Sequence, residues 1–219
     1  MDHYGLVKNS YKQDGDLSLR FKYDGEEYHV AMGRFLLTIK NSKDDVYCEI
    51  EVYSYYDCLA FNNGCLYYGD RHGMVHVFSM MERREVLCLF LSEEAERFYR
   101  DHINMYPHTL PYIIQNHELG DYAYLPELHV MNEVVRNLSV SSMHSCGNFV
   151  VFGDLSGRVS IFDTSIMSIV KTCKVDGAVS FISDDNGTAM IDFITADHFD
   201  SPQSLARYES AKRIKIRLN

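Results

Sequence analysis

Apolar and polar residues alternate with a period of two over short stretches of the chain, and tight turns separate these stretches. The first stretch, 17–23, carries an apolar side chain at every second position and ends at the turn Asp24-Gly25. This alternation places the apolar side chains on one face of a β-strand. Short, closely spaced strands favour an all-β sandwich, barrel or propeller. Further strands are predicted at 35–39, 47–53, 58–61, 65–68, 75–78, 86–91, 138–142, 149–152, 159–162, 169–175, 178–182, 189–194 and 214–218.

Two segments of the chain match each other without a gap. GDRHGMVHVFS begins at Gly69 and GDLSGRVSIFD begins at Gly153, 84 residues later. Each opens on a Gly-Asp-x-x-Gly turn, in which glycine permits a positive φ and aspartate binds nearby backbone amides. A four-stranded propeller blade takes ~40–45 residues, so the offset predicts two blades with one irregular blade between them.

The second segment resembles a WD40 repeat that runs into the next repeat. Phe162-Asp163 stands where the Trp-Asp pair of that family is expected, and Asp176-Gly177 stands where its Gly-His pair would be. The chain departs from the family pattern in having no tryptophan and in following Phe78 with serine. The resemblance covers 57–92 and 137–187, and it implies a propeller that binds partners through its loops.

The predicted fold class is therefore all-β, a short WD40-like β-propeller of about five blades with one or two small helical insertions, in a single domain over 1–219. Ser92 is the expected N-cap of one helix, and 203–212 is the other. The segment 93–136 is either a functional insertion or a decayed blade that still fills its place. The predicted blades are 24–56, 57–92, 93–136, 137–175 and 176–219, the last completed by the N-terminal strand 16–23.

Charge is distributed unevenly along an acidic chain. The formal net charge is −10, which argues against a general nucleic-acid-binding surface. The last thirteen residues nevertheless carry five basic side chains and one acidic one. Basic residues alternate with apolar ones there, which predicts charges on one strand face that reach phosphates. A solvated strand face is the alternative. The candidate RNA-binding residues are Lys212, Arg213, Lys215 and Arg217.

Cysteine and histidine patterns indicate neither disulfides nor a metal site. The 6 cysteines form no CxxC pair, and most lie in apolar runs, so we expect reduced thiols in the core. His72 and His76 stand four residues apart on a predicted strand, which separates them by ~13 Å. The histidines of 93–136 have spacings that match no ligand motif. No metal or other cofactor is predicted, and no apolar stretch reaches the ~18 residues of a membrane span.

No catalytic motif stands out in the chain. Gly64 and Gly69 have the spacing of a phosphate-binding loop, but Asp70-Arg71 replaces its Lys-Ser/Thr and a strand follows. We therefore expect a non-enzymatic, cytoplasmic scaffold that binds a protein partner or large complex, with no membrane and no small-molecule substrate involved. Its candidate partner-binding residues are the turn residues Arg71, His72, Leu155 and Ser156.

Two other functions stay open. The basic C-terminal run suggests a factor associated with the ribosome or its RNA, including a dormancy factor that inhibits translation. The short turns resemble those of proteins from genome-reduced lineages such as microsporidia, whose dormant ribosomes carry small bound factors. An enzyme with a site in the propeller's central channel is the third alternative, and no sequence feature supports it.

Overall fold

The computed structural model describes residues 17–32, 36–51, 56–70, 73–97, 138–195 and 212–218. Within these ranges, fifteen strands form four antiparallel sheets. The first sheet contains β1 (Ser18–Tyr23), β2 (Glu26–Met32), β3 (Leu36–Asn41) and β4 (Val46–Glu51), and the second contains β5 (Tyr56–Asn62), β6 (Cys65–Asp70), β7 (Met74–Ser79) and β8 (Arg84–Phe90). The third contains β9 (Val140–Cys146), β10 (Phe149–Asp154), β11 (Arg158–Asp163) and β12 (Ser168–Lys174), and the fourth contains β13 (Ala178–Asp184), β14 (Thr188–Ile194) and β15 (Lys212–Arg217).

Strands that follow one another in the chain pair with one another in every sheet. Two-residue turns connect several of these pairs, and the backbone at Asp24-Gly25 has φ values of 50° and 78°. Asn63-Gly64 has φ values of 47° and 72°. Positive φ at both central residues gives the turn a twist that matches the twist of the flanking strands. The local sequence therefore dictates these two hairpins.

Three apolar clusters join the sheets in the order of the chain. The first packs Phe21 and Leu37 of the first sheet against the second sheet, and the second packs Tyr67 against Val140 of the third sheet. The third cluster packs Val151 against the fourth sheet. Each sheet thus buries apolar faces against its neighbours, which is how stacked repeats are stabilised. Among the described residues, the three interfaces join the first sheet to the second, the second to the third, and the third to the fourth.

The repeated Gly69 and Gly153 lie where neighbouring sheets approach closely. A Cβ atom added at Gly69 would lie 2.7 Å from Val140 Cγ1, and one at Gly153 would lie 2.4 Å from Val179 Cγ1. Any larger residue would push the next sheet away. The glycines with positive φ in the two repeats are instead Gly73 and Gly157, at 80° and 87°. The first glycine of each repeat is therefore required by the close approach of the next sheet, and the second glycine is required by the positive φ of the turn.

The structure corrects the predicted blade between the two repeats. Asn62 of the second sheet donates hydrogen bonds to the carbonyl oxygens of Gly147 and Phe149 in the third sheet, both at 2.9 Å. The second apolar cluster also joins these two sheets directly. Sheets in direct contact leave no place between them for the irregular blade predicted over 93–136, although residues 98–136 of that segment lie outside the described residues. The 84-residue offset therefore separates equivalent positions in two neighbouring sheets, and it includes the segment of chain between those sheets.

The role predicted for the N-terminal strand is also wrong. β1 pairs with β2 in the first sheet, in the register Phe21↔Tyr28, instead of completing the fourth sheet. The tight turn at Asp24-Gly25 makes β2 the hairpin partner of β1. The fourth sheet has three strands among the described residues.

A short helix follows the second sheet at 93–97. Its predicted N-cap is confirmed, because Ser92 Oγ accepts a hydrogen bond of 2.9 Å from the Ala95 amide. The predicted helix at 203–212 lies outside the described residues except for Lys212, which begins β15. In the described part of the chain, no helix has the length and apolar character needed to cross a membrane.

Candidate functional site

The two repeated turns are closed by buried aspartates. Asp70 Oδ1 accepts a hydrogen bond of 2.9 Å from the Met74 amide, and Asp154 Oδ1 accepts one of 2.9 Å from the Arg158 amide. These contacts confirm the predicted role of aspartate in the Gly-Asp-x-x-Gly turn. Burial raises the pKa of Asp154, against the opposing effect of the hydrogen bonds from Ser156 and Arg158. The third-sheet turn is thus held by hydrogen bonds to its own aspartate, and the second-sheet aspartate makes the matching bond to Met74.

The predicted partner-binding residues differ in their accessibility. Leu155 does not project from its turn, because its side chain is only 7% exposed and its amide donates to the Ser139 carbonyl at 3.0 Å. Ser156 is half-buried, and its hydroxyl donates to Asp154 Oδ1 at 2.7 Å. Arg71 and His72 lie outside the described residues. Partner binding by these four residues stays a prediction, and Ser156 is the one whose side chain the structure places at the surface.

Arg158 connects the third sheet to the start of the short helix. Its Nη1 donates to the Leu91 carbonyl at 3.0 Å, and its Nη2 donates to Glu94 Oε2 at 3.3 Å. Hydrogen bonds from its own backbone amide, from Ser92 and from Arg158 lower the pKa of Glu94. A Cβ at Gly157 would lie 2.4 Å from the Gly177 carbonyl oxygen, so the link after β12 adjoins the same turn. We call this surface, made of 92–97, 155–158 and 175–177, the turn edge.

The basic strand β15 lies at the side of the fourth sheet. Lys212, Arg213, Lys215 and Arg217 are all exposed, whereas Ile216 between them is buried. Arg213, Lys215 and Arg217 share one face, which confirms the predicted alternation. Arg213 forms a two-pronged pair with Asp192, in which Nη2 donates to Oδ2 at 2.7 Å. Among the described residues, the other three basic side chains form no ion pair.

A polar cluster spans three strands of the second sheet. Tyr68, His76 and Cys88 lie opposite one another on β6, β7 and β8. His76 Nδ1 lies 2.7 Å from Glu85 Oε2, and Tyr68 donates to the same oxygen at 2.9 Å. The rings of Tyr68 and His76 stack with centroids 4.9 Å apart. On the other side of His76, Nε2 lies 4.0 Å from Asp70 Oδ2. We call His76, Glu85, Cys88 and Asp70 the polar cluster.

Burial and neighbouring charges set the protonation of this cluster. Burial alone would raise the pKa of Glu85, but the hydrogen bonds from His76 and Tyr68 and the charge on His76 lower it overall. Burial, with the charges of Glu85 and Asp70, raises the pKa of Cys88 to about 12. At neutral pH and with no bound cation, Glu85 is therefore ionised and Cys88 is a thiol.

Sequence reasoning missed the polar cluster. It rejected a metal pair of His72 and His76 on strand spacing, and it did not consider side chains brought together across strands. The relevant signal is the pairing of β7 with β8, in which a register shift between Val77 and Phe78 brings Glu85 beside His76. Of the described residues, His76, Glu85 and Cys88 form the group of histidine, cysteine and acidic side chains suited to holding a metal ion.

Comparison with solved structures identifies the class of fold. Sqt1 of Saccharomyces cerevisiae matches with a TM-score of 0.57 and 12% identity over 96% of this chain and 51% of its own. The computationally designed protein Ika4 matches with a TM-score of 0.54 and 9% identity over 90% of this chain and 88% of its own. The structure of U3-55K matches with a TM-score of 0.51 and 10% identity over 89% and 49%.

Sqt1 and U3-55K are WD40-repeat β-propeller proteins. The fold of this chain is accordingly WD40-like, as the repeated segments predicted. At identities this low the likeness shows the fold alone, and the chain spans about half the length of these two proteins. No protein-family model matches the chain. No curated protein sequence matches it either.

Proposed function

We propose that the chain is a non-enzymatic scaffold that binds a protein partner or a larger complex through the turn edge. The observation that carries the proposal is the bridge made by Arg158, which ties the short helix to the turn of the third sheet. Surface segments fixed in this way lose little conformational freedom when a partner binds, and this limits the entropic cost of association. WD40-like folds commonly present such loops to partners.

The turn edge combines exposed charge with fixed backbone. Glu93 and Asp176 are exposed, and Arg158 is half-buried. Exposed charges at the rim of an interface set its specificity and association rate. Reversing one of them should therefore impair binding without disturbing the core.

Affinity purification of tagged protein from its native cells tests this proposal. Glu93→Arg changes the turn edge, and Asp185→Arg makes the same charge change at the exposed turn between β13 and β14, at the opposite end of that sheet. We expect Glu93→Arg to lose a defined protein partner that the wild type and Asp185→Arg retain after RNase treatment. Equal recovery of that partner with both variants would show that the turn edge is not the binding surface.

A second candidate function is a ribosome- or RNA-associated factor that uses β15. The observation that favours it is the exposure of Lys212, Lys215 and Arg217, which form no ion pair among the described residues. Lys215 and Arg217 share a face with Arg213, so their charges can follow a phosphate backbone. Asp192 neutralises the charge of Arg213, so the positive charge on this face of β15 comes from Lys215 and Arg217.

RNA titration across salt concentrations tests the second candidate. Lys215→Glu and Arg217→Glu should each weaken binding of a labelled RNA hairpin and reduce the slope of log K against log salt by about one. Lys43→Glu, at the exposed turn between β3 and β4, is the matched control and should leave the slope unchanged. An RNA affinity that does not change with salt concentration, or that Lys43→Glu weakens as much as the β15 substitutions do, would exclude β15 as a phosphate-binding strand.

A further inference from the structure

The polar cluster has the donor set of a transition-metal site. We propose that His76 Nδ1, the Glu85 carboxylate and the Cys88 thiolate bind one zinc-type divalent cation, with Asp70 orienting His76. One ligand atom from each of the three residues lies within 4.8 Å of the other two. Zinc takes nitrogen, oxygen and sulfur ligands at ~2.0–2.3 Å in a tetrahedral arrangement, and the fourth position is open to water.

The sheet itself positions these donors. His76 and Cys88 are directly opposed across β7 and β8, so their side chains leave the same face of the sheet. Glu85 reaches this face through the register shift between Val77 and Phe78. His76 is mostly buried, with a side chain 13% exposed, whereas Glu85 is 42% exposed. Glu85 is therefore the donor with the freedom to open its 2.7 Å contact with His76 and admit an ion.

Asp70 lies behind His76, where metal-binding histidines usually have an outer hydrogen-bond partner, but beyond hydrogen-bond distance. Its Oδ1 is held by the Met74 amide at 2.9 Å, and its Oδ2 lies 4.0 Å from His76 Nε2. A carboxylate that hydrogen-bonds to the second ring nitrogen fixes the ring and its tautomer, and a shift of roughly 1 Å on metal binding would bring Asp70 into that contact. The repeated turn thus places a buried acid behind the histidine.

The third sheet shows that the fold does not require this donor set. With the 84-residue offset, Asp154 matches Asp70, but Ser160, Ile169 and Thr172 match His76, Glu85 and Cys88. Ser160 pairs with Thr172 in the same register, and their hydroxyl oxygens lie 3.4 Å apart. The same backbone is therefore stable with two hydroxyls and an apolar side chain. Packing alone does not account for histidine, glutamate and cysteine at the matching positions of the second sheet.

Binding would be coupled to loss of the thiol proton. The Cys88 thiol releases its proton to solvent as its sulfur binds the ion, and the thiolate and the Glu85 carboxylate together balance the two positive charges. His76 binds through Nδ1, so the proton that Nδ1 donates to Glu85 leaves that nitrogen, and the second ring nitrogen keeps one proton.

Titration of the metal-free full chain with Co²⁺ tests the site, because thiolate-bound Co²⁺ gives a near-ultraviolet charge-transfer band and tetrahedral Co²⁺ gives visible bands. We expect both sets of bands to saturate at one equivalent and to disappear when Zn²⁺ is added. Cys88→Ser and Cys88→Ala should each abolish the charge-transfer band. Cys65→Ser is the matched control, since it removes another half-buried thiol of the same sheet and should leave the band intact.

Asp70→Asn tests the outer contact. Asparagine still offers an oxygen to the Met74 amide, but it loses the charge behind His76, so Zn²⁺ affinity should fall by about 10–100-fold. The metal-free variants are compared by thermal unfolding, and those that unfold like the wild type report on metal binding alone. The proposal is overturned if the wild type gives no charge-transfer band, or if the band survives both Cys88 substitutions.

Discussion

Two neighbouring tyrosines of β6 should respond oppositely to the same substitution. Tyr67 faces the third sheet and is fully buried, and its hydroxyl has no hydrogen-bond partner among the described residues. Tyr68 faces the first sheet, is 1% exposed, and donates to Glu85 at 2.9 Å. Replacing either by phenylalanine removes one oxygen atom and leaves the ring in place. The pair therefore isolates the effect of hydrogen bonding.

The expected magnitudes follow from these environments. An unpaired hydroxyl buried from water costs about 1–3 kcal/mol. The void left by one oxygen atom costs about 0.5 kcal/mol. Tyr67→Phe should therefore raise the free energy of unfolding by about 1 kcal/mol, which corresponds to a rise in Tm of roughly 2–4 °C for a domain of this size. Tyr68→Phe should lower the free energy of unfolding by about 1 kcal/mol, because it removes a hydrogen bond to a carboxylate.

Urea unfolding followed by circular dichroism, with thermal scans of the same samples, measures both effects. The midpoint should shift upward for Tyr67→Phe and downward for Tyr68→Phe, with unchanged m-values. A loss of stability in Tyr67→Phe equal to that in Tyr68→Phe would show that the Tyr67 hydroxyl is bonded in solution. The reasoning about this interface would then be refuted.

Three further substitutions have defined expected outcomes. Asn62→Ala should lower the free energy of unfolding by about 2 kcal/mol in urea titrations, since it removes the hydrogen bonds to the Gly147 and Phe149 carbonyls; no loss would place those bonds outside the folded core. Asp154→Ala, which opens the third-sheet turn, should cost about 2 kcal/mol by the same measurement. Burial lowers the pKa of His144, so stability should fall as pH drops below the ordinary histidine range, and His144→Gln should flatten that dependence.

The sequence was informative where a local rule determines the structure. The alternating residues of 17–23 form β1, and the turn residues Asp24-Gly25 and Asn63-Gly64 adopt the backbone that their types favour. The Gly69 and Gly153 repeats were matched correctly, because a turn closed by aspartate and a close approach between sheets both leave marks in the local sequence.

It was not informative about which sheets are neighbours. The length of a connecting segment does not reveal whether it forms a blade, so the 84-residue offset was divided into two equal blades. The contact that decides the matter joins Asn62 to Gly147, and it depends on packing between residues far apart in the chain. The assignment of β1 to the last blade neglected the hairpin at Asp24-Gly25, which already specified β2 as its partner.

The candidate sites divide in the same way. Lys215 and Arg217 are exposed because polar and apolar residues alternate along a single strand, and this alternation can be read directly from the sequence. The Leu155 amide is held by the carbonyl of Ser139, which precedes β9, and assembly of His76, Glu85 and Cys88 depends on the β7–β8 register. Chemistry that is assembled across strands becomes visible only when their pairing is known.

Direct contact between the second and third sheets is the central claim, and aromatic NOE measurements on the unmodified chain test it most directly. The Tyr67 ring lies 5.8 Å from that of Phe162 and 6.3 Å from that of Phe152, measured between centroids. Phe152 and Phe162, 6.0 Å apart within the third sheet, provide the internal reference. We expect NOE cross-peaks from Tyr67 to both phenylalanines, as strong as those between the phenylalanines themselves. Reference cross-peaks without any from Tyr67 would contradict the claim.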